Sequence, residues 1–169
     1  MKIVNIVATA KIKGGFDLTL LKNRIKNVEL SPRWLKLRLA PENYYIAFYR
    51  SGKFLITGIQ DFELIDDIVA RILEILKQAG NEVDLESITI HNIVLVDRVD
   101  LDMALEHLVA SLGDTPVSYE PEQFPGLFYK DDEGISYTLF SSGKMIVTGV
   151  KDVEMARKGI ERFKAMVTS

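Results

Sequence analysis

The run Phe48-Tyr49-Arg50-Ser51-Gly52-Lys53-Phe54-Leu55-Ile56-Thr57-Gly58 returns 91 residues later as Leu139-Phe140-Ser141-Ser142-Gly143-Lys144-Met145-Ile146-Val147-Thr148-Gly149. The correspondence continues beyond it: Phe62, Ile65, Val69, Ile72 and Leu76 map at the same offset onto Val153, Ala156, Ile160, Phe163 and Val167. These positions have helical spacing, so the repeated unit is a hairpin followed by an amphipathic helix. The chain is an internal duplication and is expected to fold as two like halves. Its 169 residues leave each half roughly 80, near the lower limit for an independent core, so the halves are expected to share one sheet.

The first repeat is read as residues 1–80, the linker as 81–86 and the second repeat as 87–169. In the first, a strand over 2–13 closes at Gly14-Gly15, and a helix with the stripe Leu18, Leu21, Ile25 follows, capped by Asp17 or Thr19. Strands are predicted over 28–39, interrupted at Pro32, and over 44–49 and 54–59, with the Ser51-Gly52 turn joining the last two. A long helix then runs from Asp61 to a glycine cap at Gly80. The second repeat replays this order: strand 87–96, helix 101–112, strands 117–119, 127–130, 135–140 and 145–150, and a helix from Asp152. This predicts an α+β fold of two layers, one antiparallel sheet with helices on one face.

Alternation assigns Phe54, Ile56, Met145 and Val147 to one face of the sheet and Leu55, Thr57, Ile146 and Thr148 to the other. Each repeat supplies helix for one face only. The second face, aliphatic with threonines, is therefore either a binding surface or a surface covered by a third layer, a second copy or a tail.

Composition removes several function classes. Hydrophobic residues at 47% and charged residues at 27% suit a globular core, and no stretch reaches the ~18 apolar residues of a membrane helix. The N-terminus enters a strand-like run with no signal-peptide pattern, and there are no cysteines, so a cytoplasmic protein is expected. His91 and His107 have no ligand partners at metal spacing, and no glycine-rich phosphate loop occurs, so neither an enzyme, a metal nor a cofactor is expected. The net charge of −3 requires any polyanion contact to be local.

The second copy carries Tyr119-Glu120-Pro121-Glu122-Gln123-Phe124-Pro125-Gly126-Leu127, and Phe140-Ser141-Ser142-Gly143-Lys144 begins 16 residues after Phe124. With the paired Asn-Ile-Val segments at Asn5 and Asn92 and both hairpins ending in Thr-Gly, the chain resembles the archaeal TATA-box-binding protein family over nearly its whole length. The resemblance implies a saddle whose concave antiparallel sheet lies in the minor groove of A·T-rich promoter DNA. That groove presents adenine N3 and thymine O2 acceptors without the guanine amino group. Asn5 and Asn92 would then donate hydrogen bonds near the centre of the site. Val7, Val94, Leu55 and Ile146 would pack on the groove floor, with Thr57 and Thr148 adding hydroxyls.

The same resemblance makes Phe124 and Phe140 the wedges that kink DNA at one end. The first repeat departs from the pattern: Tyr49 occupies the strand phenylalanine's place, and the loop is two residues shorter, with 17 from Pro32 to Tyr49 against 19 from Pro121 to Phe140. Either Trp34 or Leu35 is the candidate wedge there, or Trp34 folds back onto the sheet. Arg50, Lys53, Lys130 and Lys144, with Arg33, Lys36 and Arg38 nearby, are expected to face phosphates. Glu120, Glu122 and Gln123 match the family's docking point for transcription factor B; Ser31, Arg33 and Trp34 replace them in the first repeat. The implied function is promoter binding, bending and recruitment of that factor. The alternative is a TATA-binding-like interaction module that has lost productive bending. Neither a membrane nor a small-molecule substrate is expected.

Overall fold

A computed structural model describes all residues, 1–169. The chain divides into two compact units, Asn5–His91 and Met1–Val4 with Asn92–Ser169, called here the first and second unit.

The first unit contains most of β1 (Lys2–Ile12), then α1 (Leu18–Arg24), β2 (Val28–Leu30), β3 (Trp34–Leu39), β4 (Tyr44–Tyr49), β5 (Lys53–Ile59), a 3-10 turn at Phe62–Leu64 and α2 (Ile65–Gln78). Asp17 caps α1 by accepting from Leu20 N–H, which decides between the two cap candidates. Gly80, at φ 88°, ends α2 as the glycine signal predicts: its N–H donates to Lys77 O, and Asn81 N–H donates to Leu76 O. The strands pair antiparallel in the order β2-β3-β4-β5-β1. Phe16, Phe48 and Phe54 meet edge-on or tilted at 5.4 to 6.2 Å in the core beneath them.

The second unit contains the larger part of β6 (Leu85–Arg98), α3 (Leu105–Ser111), β7 (Val117–Tyr119), β8 (Leu127–Lys130), β9 (Ser136–Leu139), β10 (Lys144–Val150) and α4 (Val153–Thr168). Its antiparallel order is β6-β10-β9-β8-β7, the first unit's order repeated. Tyr129, Tyr137 and Phe163 stack at 4.5 to 5.9 Å on the helix side. The Tyr137 hydroxyl donates to Asp131 Oδ2 (3.0 Å), and burial together with that bond pushes its pKa well above the usual tyrosine range. No helix is long and apolar enough to cross a membrane.

Two expectations need correcting. Helix α3 begins at Leu105, four residues later than predicted, because Ala104 at its start is extended (ψ 154°) and offers no side-chain cap. The segment read as a linker over 81–86 is partly strand: β6 starts at Leu85, and the preceding residues are tied to the end of β1. Lys13 N–H donates to Asp84 O (2.8 Å), and exposed Lys13–Asp84 and Lys11–Glu86 ion pairs lie alongside.

Candidate nucleic-acid interface

Alternation along the central strands separates the two faces. On β5 Phe54 and Ile56 are fully buried while Leu55 and Thr57 are half-exposed; on β10 Met145 and Val147 are buried while Ile146 and Thr148 are half-exposed. Val7 on β1 and Val94 on β6 flank them on the same open side, with Ile6, Ala8, Ile93 and Leu95 buried beneath. Each unit thus turns one face to its helices and leaves an aliphatic face with regularly placed hydroxyls and amides.

The amides are held by a repeated device. A register shift separates the Ile6–Ile59 pair from the Ala8–Ile56 pair, and another separates Val147–Leu95 from Val150–Ile93. Gly58 (φ 102°) and Gly149 (φ 86°) sit at these bulges in a region that side-chain-bearing residues rarely adopt. The freed N–H groups turn toward asparagines: Gly58 N–H donates to Asn5 Oδ1 (2.8 Å), and Gly149 N–H to Asn92 Oδ1 (2.9 Å). With the oxygen fixed, Nδ2 must point the other way, and it donates to Thr57 Oγ1 (3.2 Å) in one unit and Thr148 Oγ1 (3.0 Å) in the other. Each amide nitrogen carries two hydrogens, so the second remains for an acceptor lying on the face.

The second unit gathers its aromatic side chains at the outer strands. Phe124 and Phe140 lie 5.9 Å apart at 60°, and Phe124 is 40% exposed. Its ring folds over Gly126, where an added Cβ would lie 2.6 Å from Phe124 Cε1; this is why the loop's Phe-Pro-Gly needs its glycine. Phe128, which belongs to none of the sequence motifs above, joins them: it is 45% exposed and stacks on Phe124 at 5.0 Å and 21°. The available signal was the phase of β8, with Leu127 buried and Phe128 and Lys130 exposed.

In the first unit cross-strand register settles which residue faces outward. Leu35 pairs with Phe48 as Leu127 pairs with Leu139. Leu35 is fully buried and is withdrawn as a wedge, because alternation on β3 turns it to the helices and leaves Trp34, Lys36 and Arg38 on the open side. Trp34 therefore occupies the place of Gly126, and its expected equivalence to Gln123 is corrected by the strand register. Trp34 pairs with Tyr49, with ring centroids 6.2 Å apart at 52°, much as Phe124 lies 5.9 Å from Phe140 in the other unit. The Trp34 Nε1 is buried without a hydrogen-bond partner.

Cations border the open face of each unit. Arg50 Nη1 donates to Pro32 O (3.0 Å), tying the hairpin to the β2–β3 loop, and Lys53, Lys130 and Lys144 are exposed. Lys36 lies 5.8 Å from the Trp34 ring and Arg38 lies 4.8 Å from the Tyr45 ring. Glu120, Glu122 and Gln123 are exposed together on the loop before Phe124, where Gln123 and Phe124 N–H groups both donate to Glu120 O. A half-exposed aliphatic strip, one free amide hydrogen per unit, exposed rings at the outer strands and flanking cations suit a shallow apolar groove bordered by anions.

The family of "Transcription factor TFIID (or TATA-binding protein, TBP)" matches residues 1–79 and again 87–169. The TATA-box-binding protein of Archaeoglobus fulgidus is 36% identical over 168 residues, covering 96% of this chain and 92% of that one. TATA-box-binding protein C of Halobacterium salinarum is 34% identical, covering 99% and 97%. The solved structure of the Methanococcus jannaschii TBP superposes with a TM-score of 0.87 at 31% identity, covering 98% of this chain and 97% of that one. The fold is the α+β fold of that protein.

Proposed function

Because the chain belongs to the TATA-binding protein family over both of its repeats, we propose that it is a transcription initiation factor that binds A·T-rich promoter DNA through the minor groove. The observation that carries this reading is the duplicated Asn–Thr–Gly brace. It holds one amide donor per unit in a fixed orientation on an aliphatic face. Adenine N3 and thymine O2 are acceptors on a smooth groove floor, and a guanine amino group would press against the valines and leave its own donors unpaired. Val7, Leu55, Val94 and Ile146 form the apolar contact; Thr57 and Thr148 hold the amides and line the same strip.

We infer bending from the aromatic rings at the edge of the open face, of which Phe124 is exposed and Phe140, Trp34 and Tyr49 are half-buried. Wedges in minor-groove proteins, TATA-binding proteins among them, work against an unstacking cost of a few kcal/mol per base step. Phe124 and Phe140 are the wedge of the second unit; Trp34 with Tyr49 takes that role in the first, and its position on the open face favours bending over the alternative of a non-bending module. Arg50, Lys53, Lys130 and Lys144 neutralise phosphates along the groove edges. Glu120, Glu122 and Gln123 form the docking surface for transcription factor B.

The test is binding to a duplex in which inosine·cytosine pairs replace the A·T pairs. Inosine lacks the guanine amino group, so the minor groove stays as in A·T while the major groove becomes that of G·C. Retained affinity for this duplex, with loss on the corresponding G·C duplex, is the expected result. Loss on both refutes minor-groove binding. A mobility shift that gains a slower band with added transcription factor B, and loses it in a Glu120→Ala, Glu122→Ala variant, tests the docking surface.

A further inference from the structure

Phe128 has no part in the roles assigned above. It and Phe124 are the only aromatic side chains among the large apolar residues left exposed, and their near-parallel stacking at 5.0 Å leaves both rings on the open side. Cross-strand register identifies the equivalent residue in the first unit: Phe128 pairs with Thr138, one step from Leu127–Leu139, and Lys36 pairs with Ala47, one step from Leu35–Phe48. Position 128 corresponds to position 36. At this one place the second unit backs its outer ring with another ring, and the first unit backs its indole with an ammonium 5.8 Å away.

The difference extends into the hollows beside these residues. One of about 350 Å³ in the first unit is walled by Glu29, Lys36, Arg38 and Tyr45. Its counterpart of about 390 Å³ in the second is walled by Ser118, Phe128, Lys130 and Ser136. Two cations in one become a ring and a single cation in the other.

We propose, resting on the DNA-binding reading, that positions 36 and 128 give the two repeats different grips on the duplex. Phe128 is a positioning residue that holds the Phe124 ring ready for a base step, so at this position the second unit contributes through apolar contact. Lys36 sets an ammonium beside Trp34, so at this position the first unit adds a phosphate contact where the second has a ring. The physical reasons are distinct. Phe124, placed between Phe128 and Phe140, loses little rotational freedom on insertion because its orientation is already restricted. An ammonium is too strongly hydrated to enter a base step, but it releases a counterion when it meets a phosphate.

The experiment compares affinity by fluorescence anisotropy, and bending by end-to-end energy transfer, on one A·T-rich duplex across a salt series. Wild type, Phe128→Ala, Phe128→Leu, Phe128→Tyr and Lys36→Met are each checked by thermal melting. Phe128→Ala and Phe128→Leu are expected to keep the wild-type salt slope while losing about tenfold in affinity, about 1.4 kcal/mol, and part of the bend; Phe128→Tyr restores both. Lys36→Met is expected to leave the bend unchanged and to lower the slope of log affinity against log salt by about 0.9. If wild type does not bind this duplex, the DNA-binding reading falls and takes the inference with it; if it binds without bending, the inference falls alone, because Phe124 then enters no base step. If wild type binds and bends, the inference alone is overturned by wild-type bending in both Phe128→Ala and Phe128→Leu, or by an unchanged slope in Lys36→Met.

Discussion

Gly126 lies beneath the Phe124 ring, and a single methyl group added there should separate the proposed wedge from the fold that carries it. A Cβ at this position would lie 2.6 Å from Phe124 Cε1 and 2.8 Å from Thr138 Cγ2, where ordinary contact begins at 3.4 Å. Gly126 is not among the positive-φ glycines, so alanine brings no backbone strain and the whole effect is packing. Moving from 2.6 to 3.4 Å requires the ring to give by about 0.8 Å. In a closed core such overpacking costs about 1–3 kcal/mol. Phe124 is 40% exposed and can swing outward, so Gly126→Ala should lose less than about 1 kcal/mol of stability. If Phe124 is the wedge proposed above, displacing it by this amount should turn it away from its base step, and affinity should fall about tenfold, about 1.4 kcal/mol, with a measurable loss of bend. Thermal melting together with energy transfer across an end-labelled A·T-rich duplex reads both quantities. Wild-type bending at wild-type stability would refute the packing of Phe124 on Gly126 as the device that aims the wedge. A stability loss of several kcal/mol would show that β8 moves instead of the ring.

Three further outcomes follow from the same structure. Asn5→Ala and Asn92→Ala should each cost about 1 kcal/mol of stability, since the orphaned Gly58 and Gly149 N–H groups are exposed and can turn to water; affinity for A·T-rich duplex should fall by equal factors, and a tenfold disparity would break the equivalence of the two braces. Trp34→Phe removes a buried N–H without a partner, which offsets the smaller ring, so urea unfolding should show stability unchanged or raised by about 1 kcal/mol; a clear loss would mean the indole is paired. Burial pushes the Asp97 carboxyl up, but the Arg98 N–H, the Lys164 ammonium at 3.1 Å and the N-terminal ammonium at 3.3 Å outweigh it and hold its pKa below the usual range. That contribution is present above the unfolded pKa of about 3.9 and is lost as pH falls through the lower folded value. Asp97→Asn should therefore cost about 1–2 kcal/mol at neutral pH, the partly exposed Lys164 tempering the full charge-assisted figure, and should flatten the acid limb of a melting-temperature profile; parallel acid limbs in wild type and variant would contradict it.

Sequence determined the parts of this protein that depend on local spacing. The 91-residue offset fixed two like units, and strand bounds at Tyr44–Tyr49, Val117–Tyr119 and Leu127–Lys130 coincide with the runs read from residue type. Because side chains alternate strictly along a strand, Leu55, Thr57, Ile146 and Thr148 could be assigned to the open face without coordinates. What depends on pairing between strands was not legible. A one-residue change of phase sends every side chain to the other face, and the shortened first-repeat loop left the phase of β3 undetermined. The Leu35–Phe48 pair sets it, sending Leu35 into the core and leaving Trp34 outside. The same register makes Phe128 and Lys36 counterparts, although no alignment of adjacent motifs would pair a phenylalanine with a lysine across loops of unequal length. The asparagines could be named from sequence, but the direction of each amide comes from a bulge glycine more than fifty residues away in the chain. Only the folded backbone brings that N–H to the oxygen and turns the donor toward the open face.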